Sequence, residues 1–430
     1  MYRQAIAWSV GLGLGTFQAS PQASSLSALT PDRLVETALQ GNRDLLSLQQ
    51  RVQQAQGLLK QAGVGIADNF EVSGGAGQPV GNTGEDDVSV TYAHTFETFG
   101  KRAKRVAVAR REVALAKAEF DDRRRILALE VRTRYADAVA EQRKLEVVDR
   151  LLAVNREYLR LTEARVEKGD AAPLEASLLR VELNRDRARR ALTEGRVRAA
   201  VLELKTSLDI PAAEALTLAP SLAPPSFTDD LPSLQARGLV NRPDLIALRV
   251  AEERSAAQTA LSNVETTPNV TVSGQYSHAD SAFALYGVTP AGALAPIRDH
   301  DNSIGLGVSI PLTTARRNRG NIEAAVARQN EFSLRRKYLE SAVPTQVEAA
   351  YRHWQAAREA AAVFTTDLID QSEKNLAVMR QAYNLGELRL IDILNEQRRV
   401  LDTELSSIDA EAELFRSYAE LAHATGGSLP

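Results

Sequence analysis

Moved along itself by 200 positions, the chain meets a second copy of its own pattern. Leu34 falls on Leu234, Leu39 on Leu239, Asp44 on Asp244, Leu45 on Leu245 and Leu48 on Leu248. The register continues through Asn69-Phe70-Glu71-Val72-Ser73-Gly74 against Asn269-Val270-Thr271-Val272-Ser273-Gly274. Further on the offset grows to 216, pairing Val131 with Val347 and Tyr135 with Tyr351, and it reaches 217 at Gly169 and Gly386. The added residues fit one place, the stretch from His278 to Asn302, rich in Ala, Gly, Pro and Asp. A segment that grows without disturbing its flanks belongs on a surface, as an outer loop. Chance matching between Ala- and Leu-rich helices does not hold one offset through both helical and strand-like stretches. The chain therefore carries one structural plan twice, over residues 26–225 and 226–430.

Each copy opens with a helix, about 31–67 and 231–265, the first behind Thr30-Pro31-Asp32, a cap with proline at the first helical position. Two short alternating segments follow, about 69–78 and 87–97 in the first copy and 269–277 and 303–311 in the second. Val88, Val90, Tyr92 and Phe96 share one face, and Ser89, Thr91, Ala93 and Thr95 the other. Ile304, Leu306, Val308 and Ile310 likewise oppose Gly305, Gly307 and Ser309. Period-2 alternation of this kind predicts strands with one apolar face. A very long helix comes next, about 101–168 and 316–385, with Pro344 a candidate kink in the second. At 1.5 Å per residue each is a rod on the order of 100 Å long. Val131, Ala138, Leu145, Leu152, Leu159 and Val166 recur seven apart, as do Val347, Trp354, Ala361 and Leu368. Such spacing demands neighbouring rods against which the seam is buried. Each rod ends at a glycine turn, Gly169 and Gly386, and shorter helices return from Pro173 to Leu208 and from Arg389 to Ala424.

Composition narrows the function. Aromatics make up 5% and charged residues 25% of the 430 residues, a mixture suited to long helices and coiled coils. A formal net charge of -3 leaves no basic excess for neutralising phosphates, which argues against nucleic acid. Cysteine is absent, so disulfides, thiolate metal sites and a lipid-anchored N-terminal cysteine are excluded. Arg3, the apolar run from Ala5 to Phe17 and the small residues that follow read as a signal peptide over residues 1–25. Beyond it no stretch approaches the roughly 20 apolar residues of a membrane-spanning helix. The mature protein either stays in water outside the cytoplasm or crosses a membrane by strands. Four strands with open edges cannot stand alone in hydrocarbon, and single-chain barrels begin at about eight, so a membrane-spanning reading requires self-association.

The layout is similar to that of the TolC-like outer-membrane efflux proteins over nearly the whole chain. The resemblance rests on Thr95-Phe96-Glu97-Thr98-Phe99-Gly100-Lys101-Arg102, where strand passes into helix, and its counterpart Ile310-Pro311-Leu312. It rests also on the turns Ala164-Arg165-Val166-Glu167-Lys168-Gly169-Asp170 and Ala382-Tyr383-Asn384-Leu385-Gly386-Glu387-Leu388-Arg389-Leu390-Ile391-Asp392-Ile393-Leu394. The resemblance implies a mainly α fold with a small transmembrane β part. In it a homotrimer closes a 12-stranded β-barrel, three chains of four strands each, seated in outer-membrane lipid and continued by a periplasmic α-helical barrel. It implies two partners, a periplasmic membrane-fusion adaptor and an inner-membrane pump of the RND type. Gly100-Lys101-Arg102 looks most like the subgroup paired with heavy-metal cation pumps. The function so implied is a passive exit duct gated at its periplasmic tip.

The gate candidates lie where the rods turn. Asp170 after Gly169 is echoed by Glu387 after Gly386, and Glu175 by Asp392. In a closed oligomer each carboxylate becomes a ring that favours cations. The family's constriction has an aspartate six residues past this glycine, which Asp392 matches; its second aspartate is Asn395 here, halving the expected charge. Arg389 and Tyr383 resemble the family's residues that link the tip closed. Acidic residues beside a glycine turn also cap the helix that follows, and for Asp170 and Glu387 capping is the stronger reading. The clusters Lys101–Arg111, Arg123–Arg125 and Arg316–Arg319 read as solvated or interhelical faces. No catalytic constellation, cofactor motif or phosphate loop is present. The five histidines, His94, His278, His300, His353 and His423, show no metal-ligand spacing. His278, His300, Asp280, Asp299 and Asp301 fall in the expected outer loop and read as solvated side chains, with weak cation contact the other reading. The rival to a duct is a non-channel periplasmic coiled-coil adaptor or scaffold.

Overall fold

The computed structural model describes residues 28–65, 70–78, 86–312, 318–364, 366–385 and 387–427. The signal peptide expected over residues 1–25 lies outside them. The element order is α1 (Pro31–Gly41), α2 (Arg43–Gly63), β1 (Phe70–Gly77), β2 (Asp87–Phe96), α3 (Lys101–Glu167), α4 (Pro173–Leu208), α5 (Leu231–Asn241), α6 (Pro243–Val264), β3 (Val270–Val288), β4 (Leu294–Ser309), α7 (Arg319–Val363), α8 (Thr366–Asn384) and α9 (Leu390–Ala424). The molecule is mainly helical with one small sheet. Among the described residues no helix is long and apolar enough to cross a membrane.

Both leading helices break once, where one continuous helix was expected. Asn42 and Arg242 sit at equivalent positions with extended backbones, ψ 118° in each. Asn42 leaves the helix because its carboxamide caps the next one, accepting from the Leu45 amide at 3.1 Å. Arg242 leaves it because Pro243 follows, and a residue before proline is pushed out of the α region. The first rod, α3, is uninterrupted over 67 residues. The second is not. It breaks at Phe364 (ψ 63°), where Val363 and Phe364, β-branched and aromatic, have poor helix propensity. Pro344, by contrast, lies inside a single helix, α7.

The sheet has the spatial order β1-β2-β3-β4, antiparallel throughout, so the central pair β2-β3 joins segments far apart in sequence. The register aligns Phe70, His94, Val272 and Val308 in one row, Val72, Tyr92, Gly274 and Leu306 in the next, and Gly74, Val90, Tyr276 and Ile304 above that. All these side chains share one face, and it is bare: Ile304, Leu306 and Val308 are 83%, 88% and 68% exposed. The stretch expected to be an outer loop between His278 and Asn302 is instead strand. β3 and β4 run on as a paired hairpin beyond β2, with a register shift between Ala282 and Tyr286. Its turn is closed by the Thr289 amide donating to Ala293 and by Gly292 at φ +80°. Pro296 fits because β4 is an edge strand with no further ladder to complete.

Strand passes into rod through two left-handed residues, Phe99 and Gly100. Lys101 then reaches across, its ammonium donating to the Thr267 carbonyl and, at 2.7 Å, to Asn269 Oδ1, while Arg105 pairs with Glu97. α3 packs on α2, α4, α6 and α9, and α7 on α5, α6 and α9. The largest buried cluster surrounds Tyr135, which is fully buried and donates its hydroxyl to the Ala219 and Ser221 carbonyls at 2.8 and 2.9 Å. Elsewhere on α3 Arg125, one of the clustered arginines, is buried between helices, bonding Asp122 at 2.6 Å, Asp244 at 3.4 Å and the His423 carbonyl at 2.8 Å.

Candidate functional site

At the far end of the rods a separate cluster of Leu179, Leu376, Tyr383, Leu390, Ile393, Leu394 and Val400 packs the helical tips together. α3 stops because Gly169 takes a left-handed conformation (φ +81°), which lets the Asp170 amide reach back to the Arg165 carbonyl at 2.8 Å. Proline at the first turn of α4 and Leu390 at the start of α9 then begin the returning helices.

Tyr383 stands at the centre. It is 8% exposed, and its hydroxyl donates to Glu175 Oε2 at 2.7 Å, tying α8 to α4. The Arg165 guanidinium lies 5.7 Å from its ring centre. Burial, with the carboxylate it donates to, pushes the Tyr383 hydroxyl up to about 12, so it stays a donor at every physiological pH. The predicted link residue Tyr383 thus meets the predicted constriction residue Glu175. Arg389 does something different: it is exposed, and its backbone amide donates to Asp392 Oδ2 at 3.2 Å. Asp392 is half-buried and caps α9 from its third position. Asp170 and Glu387 are exposed and enter the turns through their amides, Glu387 donating to the Ala382 carbonyl at 2.9 Å. Gly386, the second tip glycine, lies outside the described residues. An open groove of about 650 Å³ runs past Tyr158, Leu161, Thr162, Arg165, Asp170 and Tyr383.

Two polar links at the tip were not anticipated. Arg398 makes a forked pair with Glu182, at 2.6 and 3.1 Å, joining α9 to α4. The Arg398 hydrogen bond holds the Glu182 carboxyl below its ordinary range. These residues are 216 apart, one short of the 217 offset that the repeat has here, so Glu182 pairs with the neighbour of its matched position and the repeat does not mark the link. One turn further, Asn155 donates to Asp186 at 2.6 Å with both residues buried, and burial raises the Asp186 pKa. A lone polar pair between two apolar helix faces leaves no trace in spacing.

The histidines also regroup. His278 and His300, far apart in sequence, become near neighbours across the β3-β4 hairpin, with Asp280 between them.

The profile of the outer membrane efflux protein family matches residues 34–208 and 235–427. The outer membrane efflux protein BepC of Brucella suis is 21% identical over 296 residues, 68% of this chain; the match spans 61% of BepC's own length. Among solved structures, a transmembrane channel protein, CusC, superposes with TM-score 0.71 at 18% identity, covering 93% of this chain and 92% of its own. The outer membrane protein VceC of Vibrio cholerae gives 0.70 at 20% identity, covering 93% and 97%. The open MtrE outer membrane channel of Neisseria gonorrhoeae gives 0.70 at 16% identity, covering 93% and 89%. The two family segments take in most of both leading helices, the four described strands and the helices of the tip, and the chain belongs to the outer membrane efflux protein family.

Proposed function

We propose that three copies of this chain close one 12-stranded barrel in the outer membrane, continued into the periplasm by a barrel of rods. The assembly is a passive exit duct of a tripartite efflux system. Residues 1–25 act as the signal peptide, and residues 26–225 and 226–430 are the two repeats of the plan. The carrying observation is the four-stranded sheet: its apolar face is bare and β1 and β4 both have an open edge. Open edges and unpaired backbone are too costly in hydrocarbon, and sibling chains supply the missing partners. The ten residues of β2 match the 9–11 a tilted strand needs to span. A periplasmic adaptor and an RND-type pump deliver the solute, as the family resemblance implies. The cargo we assign is heavy-metal cations, on the resemblance at Gly100-Lys101-Arg102. Lys101 itself is committed to holding the strand-to-rod passage.

The gate is the tip. Asp392, with Asp170, Glu387 and Glu175, rings the narrow end; Tyr383 and Arg389 hold it shut; Gly169 sets the first turn. Reconstitution into planar bilayers tests this. The wild type should conduct weakly and be blocked by multivalent cations from the periplasmic side, and Asp392→Asn should lower that block at least severalfold. Unchanged block leaves Asp392 as a helix cap and removes it from the gate. Absence of conductance even after the tip links are cut overturns the duct.

A further inference from the structure

On β3 and β4 the apolar positions of the bare sheet face give way to polar ones above Tyr276 and Ile304. There the same face presents His278 and Asp280 on β3, with Asn302 and His300 opposite them on β4. His278 and Asp280 are two residues apart on one strand, so both side chains leave the sheet on the same side. The imidazoles are parallel, 5° between planes and 6.4 Å between centres, with the Asp280 carboxylate between them. His278 Nε2 lies 3.4 Å from Asp280 Oδ1, and His300 Nδ1 contacts that same oxygen. One ligand atom from each of the three residues falls within 4.8 Å of the others.

Hydrogen bonding decides what the cluster is suited for. Asn302 Oδ1 accepts from the Tyr276 hydroxyl at 2.8 Å and faces His278 Nδ1 at 2.8 Å. A carboxamide oxygen only accepts, so Nδ1 carries the hydrogen and the Nε2 lone pair points at the carboxylate. Two acceptors then face each other at 3.4 Å, an arrangement that a cation seated between them satisfies. Metal-binding histidines are held in this way, the remote nitrogen fixed by an outer hydrogen bond. A tetrahedral site with bonds of about 2.0–2.1 Å puts its ligand atoms roughly 3.4 Å apart, the spacing already present between His278 and Asp280. Two imidazoles and one carboxylate suit zinc, copper or nickel rather than calcium or magnesium, which prefer oxygen alone.

We propose that His278, Asp280 and His300 form a divalent transition-metal site that clamps the β3-β4 hairpin across its strands at the outer rim of the sheet. The fourth position is left to water. The site lies on the face that carries Leu306 and Val308, opposite the Ser, Thr and Gly face, so it staples the extension outside any duct rather than selecting what passes. It needs only one chain, and stands independently of the trimer and the duct.

The test is zinc titration of the tag-free full chain in detergent at fixed neutral pH, followed by calorimetry. The wild type should bind one Zn2+ per chain, and His300→Gln and Asp280→Asn should each weaken binding at least tenfold. His353→Gln, on a helix remote from the sheet, should leave it unchanged. Cu2+ in the wild type should give an electron paramagnetic resonance signal of two-nitrogen coordination, reduced to one nitrogen in His300→Gln. Zinc should also slow proteolysis at the Thr289–Ala293 turn in the wild type and not in the variants. Absence of stoichiometric zinc in the wild type, full affinity in the double variant His278→Gln/His300→Gln, or calcium binding as tightly as zinc each overturns the proposal.

Discussion

Removing one oxygen atom tests the tip most sharply. Tyr383→Phe deletes the hydroxyl that donates to Glu175 at 2.7 Å and leaves the ring in its place against Leu179 and beneath Arg165. A hydrogen bond to a charged partner contributes about 1.5–3 kcal/mol. Glu175 is only half-buried, so water takes over part of the lost contact, and about 1–2 kcal/mol is the expected loss per chain. If the bond breaks when the tip opens, that energy is lost from the closed state alone, shifting the closed-to-open ratio by roughly five- to thirtyfold per chain. Open probability in planar bilayers is the assay, with thermal unfolding alongside. A variant that conducts like the wild type while unfolding at a lower temperature would show an ordinary structural hydrogen bond, and the gating argument would fail at its centre.

Two further predictions concern the buried middle of the molecule. Burial, and then the neighbouring Arg125, push the His423 imidazole down to about 4. The folded state therefore binds fewer protons than the unfolded chain between about pH 6.5 and 4; stability is complete above that window and lost as pH falls through it. Going from pH 7 to 4.5 should cost on the order of 2 kcal/mol in denaturant melts, and His423→Gln should flatten that slope; parallel slopes refute the assignment. Tyr135→Phe takes the donor from two carbonyls, Ala219 and Ser221, inside the largest core. It should destabilise by about 1–3 kcal/mol, and a neutral melt would mean that the segment between α4 and α5 is not anchored there.

What could be read from residues alone divides by physical range. The strands and α3 were legible because period-2 and seven-residue patterns record a local geometry repeated many times. The expected bounds of β1, β2 and α3 lie within a residue or two of the observed ones, whereas β3 runs 11 residues past its expected end and β4 starts 9 residues before its expected beginning. The helix break at Arg242 is local too, written in Pro243, whereas the break at Asn42 depends on a side-chain cap and the one at Phe364 on a short run of poor helix formers. The stretch beyond His278 has the composition of a loop, with Gly, Pro and Asp outweighing its weak alternation. It is strand because pairing supplies what propensity lacks, and an edge tolerates Pro296. The loop-like composition also hides the His278, Asp280 and His300 cluster, since cross-strand neighbours meet through register and not through spacing. At the tip, Tyr383, Glu175 and Asp392 were marked out by position. Only three-dimensional packing separates the tyrosine and glutamate that bond each other from the aspartate that caps its own helix.

The strongest single check is the number of chains in the detergent-extracted particle, weighed by native mass spectrometry. The account predicts one dominant species of three chains that stays together until the detergent is made harsh. A lone chain that remains dissolved without detergent, its strand edges already satisfied, would contradict it.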